Sequence, residues 1–272
     1  MKPRFLIIIA ILLVVLISVL LPRFIKRDMT SRAQDGTAQV NIDSYLKQAD
    51  AFTEHNSLLE AKEIYKKVMD MSLSSEQMSA VQAKLEDLNI KILLSGVNNE
   101  QSQVYEVKPG DTLIDISRDF NVTVDSIIKA NNIKDNMIYP AMKLKILKGK
   151  FSIYVDKSQN ILLLKFNDEV IKTYNVSTGK NNCTPVGTYK IVNKILNPPW
   201  YKDGKKIPPS SPENILGSRW LGFDIPGYGI HGTTQPDEIG KQITEGCVRM
   251  RNSDVEEVYS LVPVNTEVTI VD

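Results

Sequence analysis

The stretch FSIYVDKSQNILLLKFNDEVIKTYNVS, residues 151–177, decides the fold class of the second half of the chain. Its apolar residues alternate with polar ones or form short blocks, and turn-forming residues at 157–159 and 167–168 separate these blocks. This pattern predicts successive β-strands joined by tight turns.

The same pattern continues toward the C-terminus. Further strand-like segments are GTYKIV (187–192), RWLGFDI (219–225) and TEVTIV (266–271), and a helical segment, DVEEVYSLV, occupies 254–262. Many short strands with one late helix are typical of a domain built on a sheet. We therefore predict a mostly-β domain over residues 150–272, either a sandwich or a flattened barrel with one helix.

Residues 229–250, GIHGTTQPDEIGKQITEGCVRM, hold one of the two histidines and one of the two cysteines. A thiolate attacks acyl carbonyls well, and an imidazole can take the thiol proton near neutral pH. His231 is the credible base for Cys247, because His55 lies in a helical region far from it in sequence. Gly246 permits a tight turn whose backbone N–H groups can stabilise an oxyanion.

These residues resemble the signature of the L,D-transpeptidase family. The signature joins a His-Gly pair to a later Ser/Thr-x-Gly-Cys-Val/Ile-Arg segment, followed by Asn and Asp. The matching residues here are His231-Gly232-Thr233, Thr244-Glu245-Gly246-Cys247-Val248-Arg249, Asn252 and Asp254. Upstream matches are STGK (177–180), TPVGTYKI (184–191), NPPWY (197–201) and PENILGSRWLGF (212–223).

The resemblance implies an acyltransferase that acts on peptidoglycan stem tetrapeptides. Cys247 would attack the carbonyl between the diamino acid and the terminal D-alanine, and an amine from another stem would resolve the thioester. His231 would be the base, the Gly232 carbonyl would orient its ring, and the Thr244 hydroxyl would assist. Arg249 either holds a substrate carboxylate or forms a structural ion pair, and both alternatives stay open.

Several further residues are candidates for the acyl-donor cleft. They either line the cleft or belong to the core and its rim: Trp200, Tyr201, Arg219, Tyr228 and Thr233. Glu245 departs from the family pattern, because many members carry a second histidine there. A carboxylate that points inward at this position would disfavour the thiolate.

Residues 104–148 read strand, helix, helix, strand, with helix starts at Asp111-Thr112 and Thr123. Through YEVKPGDTL, NVTVDSIIKANNI and IYPAMKLKI the segment resembles the LysM module, which implies a βααβ fold that binds glycan strands. The groove would lie between two loops that contain Gly110, Asp111 and Thr112 on one side and Ile138 and Tyr139 on the other. Alternatively, Asp111 and Thr112 only cap a helix.

The region before this module is predicted to be helical. Apolar residues recur with helical spacing over 43–96, a spacer with weak tetratricopeptide character that can also hold a protein partner. Polar segments at 28–42 and 97–103 are predicted linkers.

The N-terminal segment is predicted to be a membrane anchor. FLIIIAILLVVLISVLL, residues 5–21, contains one polar residue and would span about 26 Å as a helix. Basic residues flank it on both sides, so residues 1–27 predict a single uncleaved span without fixing its orientation. The implied substrate sets that orientation: we expect a protein of the cytoplasmic membrane with its catalytic part outside.

Composition narrows the remaining possibilities. The net charge of +1 gives no reason to expect a nucleic-acid partner. Cys183, His231 and Cys247 lack the paired spacing of zinc sites, so we expect neither a metal nor another cofactor. We expect Cys183 to be a spectator thiol, since a disulfide to Cys247 would block the nucleophile.

Three alternative functions remain open at this point. An L,D-carboxypeptidase would use the same Cys and His with water as acceptor, and a related enzyme would couple protein lysines to stems. A cell-wall binding protein without catalysis is the third.

Overall fold

The computed structural model describes residues 41–272. The predicted anchor, 1–27, and nearly all of the predicted linker, 28–42, lie outside the described residues. Within residues 41–272, no helix combines the length and the apolar character needed to cross a membrane. The chain divides into two compact units between Gln82 and Ala83.

The first unit is helical, as the periodicity predicts. Its helices are α1 (41–54), α2 (Leu58–Met69) and the beginning of α3 (Ser75–Leu93). The hydroxyl of Tyr65 on α2 donates a hydrogen bond to the Asp50 carboxylate on α1. Ser74 and Gln77 each accept a hydrogen bond from the other's backbone N–H, a capping box that starts α3.

After the C-terminal part of α3, the second unit continues with the βααβ order that the LysM resemblance implies. Its elements are β1 (Ser102–Glu106), α4 (Leu113–Asp119), α5 (Val124–Ala130) and β2 (Lys143–Leu147), and β1 pairs antiparallel with β2. Thr112 and Thr123 are the N-caps of α4 and α5. Ala141 has a φ of 69°, a left-handed conformation that glycine adopts more readily.

The rest of the second unit is mostly β. Its strands are β3 (Phe151–Asp156), β4 (Ile161–Phe166), β5 (Glu169–Asn175), β6 (Thr178–Gly179), β7 (Gly187–Leu196), β8 (Trp200–Lys202), β9 (Lys205–Ile207), β10 (Arg219–Phe223), β11 (Gly229–His231), β12 (Gln242–Thr244), β13 (Val248–Arg249) and β14 (Glu267–Val271). Eight of them form one sheet in the order β13-β11-β10-β7-β14-β3-β4-β5. β8 pairs with β9 in a separate hairpin, and β6 pairs with β12.

The large sheet curls until its two ends come together. Arg249 on β13 exchanges two backbone hydrogen bonds of 2.8 Å with Ser177, which lies just after β5. Along β3 and β4, buried residues alternate with half-buried ones, so one face of each strand lies in the core. The predicted mixed α+β architecture with a mostly-β catalytic domain is therefore confirmed as a curled sheet.

One helix follows Cys247 in the chain. α6 (Asn252–Leu261) packs against β10 and β11 and begins two residues before the predicted segment. The hydroxyl of Thr123, the N-cap of α5, donates to the carbonyl of Ser260 on α6. This bond joins the LysM module to the catalytic domain.

The LysM module and the sheet also share one continuous hydrophobic core. Lys145 on β2 donates at 2.7 Å to the carbonyls of Ile92 and Ser95 at the end of α3. Asn89 on α3 donates to the Ile171 carbonyl on β5 at 3.1 Å. The C-terminal half of α3 is thus hydrogen-bonded to both the LysM module and the edge of the catalytic sheet.

Candidate active site

Two very short strands bring the two halves of the His/Cys motif together. β11 and β13 pair in parallel, with Ile230 opposite Val248 and His231 opposite Arg249. Cys247 immediately precedes β13, so it lies beside the beginning of β11. The sheet therefore places the candidate nucleophile and the candidate base on adjacent strands.

The imidazole of His231 is buried and neutral. Its Nδ1 lies 2.6 Å from the Gly232 carbonyl oxygen, and a carbonyl only accepts, so Nδ1 carries the proton. The Trp220 ring stacks on the imidazole, with centroids 6.1 Å apart. Burial lowers the pKa of His231 to about 4, and the Arg249 guanidinium also lowers it, against the opposing effect of the Gly232 and Leu216 carbonyls. Nε2 consequently keeps a lone pair at neutral pH and can act as a base.

The thiol of Cys247 is also neutral at rest. Its Sγ lies 3.5 Å from the Gly227 carbonyl oxygen, to which it donates. Burial raises the pKa of Cys247 to about 11; the Glu245 carboxylate raises it too, whereas the Gly229 N–H and Arg249 lower it. The two pKa shifts thus favour a neutral thiol beside a neutral imidazole over a thiolate–imidazolium pair.

A hydrogen-bonded turn fixes the backbone on either side of the sulfur. The Thr244 hydroxyl donates to the Cys247 carbonyl at 2.7 Å and accepts from the Gly246 N–H at 3.1 Å. Gly246 has a φ of 123°, and an added Cβ would lie 2.6 Å from the Tyr228 ring, so glycine is required here. The Gly246 N–H donates to Thr244 in this conformation, and the use of backbone N–H groups of this turn toward an oxyanion stays a prediction.

A cleft of about 470 Å³ opens over Cys247. Its lining is largely aromatic and aliphatic, and it includes three of the predicted cleft residues, Trp200, Tyr201 and Tyr228. The residues that the sequence analysis did not predict as cleft lining are Asn193, Ile195, Pro198, Pro199, Leu216, Trp220, Gly227 and Glu245. An apolar cleft over a nucleophile, with few polar groups, is typical of a substrate site.

Comparison with known proteins decides the family. A sequence model of the YkuD family, the L,D-transpeptidase catalytic domain, matches residues 150–270, and a LysM domain model matches 105–147. The putative L,D-transpeptidase YkuD of Bacillus subtilis is 34% identical over 181 residues, which cover 61% of this chain and 97% of that protein. This chain belongs to the L,D-transpeptidase family. The putative L,D-transpeptidase YqjB of the same organism is 39% identical over 132 residues, or 46% of this chain and 74% of that protein.

A solved structure of an L,D-transpeptidase from Mycobacterium smegmatis is also similar. It aligns with 48% of this chain and 64% of its own, at 20% sequence identity and a TM-score of 0.39.

Two residues predicted for the donor cleft of this L,D-transpeptidase family member lie elsewhere. Arg219 is next to Trp220 on β10, and neighbouring strand residues point to opposite faces. Its guanidinium lies over the Tyr259 ring at 5.4 Å and pairs with Glu256 at 3.6 Å, both on α6. Thr233 is buried, and its hydroxyl accepts from the Gln235 N–H at 2.9 Å. For both residues these contacts favour the alternative in which they belong to the core and its rim.

Arg249 is buried beneath the site instead of facing the cleft. Its guanidinium forms an ion pair with Glu238. Its Nε is buried without a hydrogen-bond partner among residues 41–272. Of the two open alternatives for Arg249, these contacts favour the structural ion pair.

Asn252 holds the segment that orients the imidazole. Its Oδ1 accepts from the N–H groups of Ser218 and Thr233 at 3.1 and 3.0 Å. A Cβ on Gly232 would lie 2.2 Å from that oxygen, so the glycine allows the close approach. The motif contains Asn252, but its position at a helix start suggests only a cap, and the two partners distant in sequence were not predictable.

Glu245 lines the cleft together with Cys247, and its carboxylate is open to solvent. Its side chain is 83% exposed and pairs with Lys202 at 3.4 Å across the mouth of the cleft. Lys202 also lies over the Trp200 ring, 4.7 Å from its centroid. Burial raises the pKa of Cys247 most, and the negative charge of the Glu245 carboxylate raises it further.

The predicted sugar-binding residues of the LysM module have structural partners as well. Gly110 has a φ of 92° in the turn before α4, and Asp111 accepts from the Tyr105 hydroxyl at 2.7 Å and from the Lys108 N–H at 2.8 Å. Thr112 caps α4. These contacts fit the alternative in which both residues shape the helix start, and they leave a role in sugar binding as a prediction.

The opposite loop of the LysM module is more open. Ile138 is half-buried against the core, whereas Tyr139 is 59% exposed. An exposed aromatic ring can stack on a sugar face, so Tyr139 remains the better candidate of the two.

Away from this module, Cys183 and Cys247 are both free thiols.

Proposed function

We propose that this enzyme joins two peptidoglycan stems through a thioester on Cys247, with release of D-alanine. The observation that carries the proposal is the position of Cys247 in the wall of an apolar cleft, beside a strand whose buried imidazole has its Nε2 lone pair available. A nucleophile and a base with these properties suit acyl transfer.

In the first half-reaction, Sγ attacks the carbonyl carbon between the diamino acid and D-alanine. The C–S bond forms, the C–N bond breaks, and the thiol proton passes through Nε2 of His231 to the departing amine. Because thiol and imidazole are both neutral at rest, proton transfer accompanies the attack. The thiol must therefore turn from the Gly227 carbonyl toward the imidazole when the donor stem binds.

In the second half-reaction, a neutral amine from another stem attacks the thioester carbonyl. A C–N bond forms, the C–S bond breaks, and an amine proton returns through His231 to the sulfur. The product is a cross-link between two diamino acids.

The other regions serve the same substrate in this proposal. The LysM module binds the glycan strand that carries the stems. Residues 1–27 anchor the protein in the cytoplasmic membrane, with residues 41–272 on the outer side, where peptidoglycan lies. The apolar run at 5–21 supports the anchor, and the location of the substrate supports the orientation.

A mass-spectrometric experiment on the full chain tests the proposal. Incubation with a tetrapeptide stem should give D-alanine and dimers linked through their diamino acids, and a carbapenem should leave a stable adduct on Cys247. Cys247→Ser should abolish both results, whereas Cys183→Ser, the matched control thiol, should retain them.

Other results would select an alternative function. Tripeptides without dimers would indicate an L,D-carboxypeptidase. A wild-type protein that forms no adduct and releases no D-alanine would indicate a wall-binding protein.

A further inference from the structure

The mouth of the catalytic cleft carries one positive and one negative charge. Glu245 is the charged residue among the described residues that line the cleft, and its partner Lys202 belongs to the β8–β9 hairpin. The pair therefore joins the catalytic turn to the hairpin across the entrance. A substrate in this cleft can therefore reach both Cys247 and the exposed Glu245 carboxylate.

The turn that carries Glu245 and the ammonium of Lys202 each have a further contact, yet the ion pair between the two side chains is weak. The Thr244 hydroxyl fixes the turn that carries Glu245, and the Trp200 ring lies beneath the Lys202 ammonium. The two side chains are 83% and 40% exposed, and exposed ion pairs contribute little to stability. A ligand with complementary charges can thus replace the pair at small cost.

We propose that Lys202 and Glu245 together select an acceptor whose distal carbon carries both an amine and a carboxylate, as in a diaminopimelate-type residue. Lys202 binds the carboxylate, and Glu245 accepts a hydrogen bond from the amine. A lysine-type side chain ends in an amine alone and leaves Lys202 without a partner. This inference rests on the proposed transpeptidase function and extends it to the chemical class of the acceptor.

The position of the pair favours the acceptor over the donor. The donor must fill the apolar cleft to bring its carbonyl carbon to Sγ, and the acceptor arrives only after the thioester exists. Glu245 lines the same cleft as Cys247, and its carboxylate and the Lys202 ammonium are both open to solvent, from which the acceptor arrives. Glu245 then aims the lone pair of the neutral amine at the thioester carbonyl, the C–N bond forms, and the sulfur leaves and regains a proton.

The test measures how one acyl-enzyme partitions between two acceptors and water. The full chain is acylated with a tetrapeptide donor, and tripeptide acceptors with either diaminopimelate or lysine at position three are supplied in separate reactions. The ratio of dimer to hydrolysed tripeptide is recorded, which cancels differences in acylation rate. We expect the wild type to favour the diaminopimelate acceptor by roughly tenfold, the value of one charge-assisted hydrogen bond.

Variants separate the two roles. Lys202→Gln should remove this preference by lowering the ratio for the diaminopimelate acceptor alone. Glu245→Gln should lower the ratio for both acceptors. Lys205→Gln removes a lysine of the same hairpin for which no ion pair with Glu245 is present among the described residues, so it is the matched control and should behave as the wild type.

Two outcomes overturn the inference and can be told apart. Normal acylation with equal use of both acceptors, or an equal loss for both acceptors in Lys202→Gln, would refute acceptor selection alone. Failure of the wild type to acylate would refute the transpeptidase proposal and this inference with it.

Discussion

Two charged residues stand two positions on either side of Cys247, and their surroundings are opposite. Glu245 is exposed and meets Lys202 at the mouth of the cleft, whereas Arg249 is buried and meets Glu238 beneath it. Both charges influence the pKa of Cys247, Glu245 raising it and Arg249 lowering it, although burial has the largest effect. The two residues therefore have opposite effects on the pKa of the sulfur, and their ion pairs differ in how deeply the charges are buried.

This difference indicates that the Arg249 charge stabilises the fold, whereas the Glu245 charge is accessible to a substrate. A buried guanidinium has lost its water and depends on its partner, so the Arg249 pair is part of the architecture. An exposed carboxylate keeps its water, so the Glu245 pair can open and close.

The largest effect is expected from Glu238→Gln. It leaves the Arg249 guanidinium buried without a counter-charge, and we expect unfolding to require about 3 to 5 kcal/mol less free energy. Urea denaturation at pH 7 measures this value, and Glu245→Gln is the matched control. Equal losses in the two variants would show that the pairs are equivalent.

A slightly smaller effect concerns acid stability. The folded pKa of His231, about 4, is below the ordinary value of 6.5, so the unfolded chain takes up a proton first as the pH falls. His231 thus contributes stability above pH 6.5 that is lost between pH 6.5 and 4, about 3 kcal/mol in all. Between pH 7 and pH 4, the unfolding free energy of the wild type should therefore fall by about 3 kcal/mol more than that of His231→Gln. Parallel curves for the two proteins would contradict the depressed pKa.

The third prediction concerns thiol reactivity in a Cys183→Ser background. Because the pKa of Cys247 is raised to about 11, alkylation by iodoacetamide should be slow at pH 7 and should rise about tenfold per pH unit toward 11. Glu245→Gln removes a charge that raises this pKa, so its alkylation at pH 8 should be faster by about two- to fivefold. A rate that reaches its plateau near pH 7 would reveal a preformed thiolate instead.

The smallest effect is expected from Lys202→Gln. The loss of an exposed ion pair should change the unfolding free energy by less than about 1 kcal/mol. Thermal unfolding of the variant beside the wild type measures this change, and a loss as large as that of Glu238→Gln would remove the contrast between the two pairs.

The sequence predicted most reliably the elements whose own pattern defines them. β3 has the predicted bounds, because alternation over six residues specifies a half-buried strand. β11 and β13 escaped prediction, because strands of three and two residues have no period of their own and arise from pairing. These are the strands that place His231 beside the catalytic cysteine.

The site was predictable in its chemistry and less so in its geometry. Cys247 and His231 stand out because few residue types supply a nucleophile or a base. Arg219 shows the limit: a motif on a strand reveals the strand but not which face each residue takes. The Gly246 N–H shows another limit, since its engagement by Thr244 depends on a side-chain rotation that the sequence does not encode.

The bonds from α3 to the LysM module and to the sheet have one more consequence. A sugar-binding module on a flexible linker would allow Cys247 to reach stems at many distances from the bound sugars. Here Lys145 connects the LysM module to α3, and Asn89 connects α3 to the sheet that carries Cys247. The spacing from Tyr139 to the sulfur is then a fixed length. We therefore expect the enzyme to react with stems at one fixed distance along the glycan strand from the sugars bound by the LysM module.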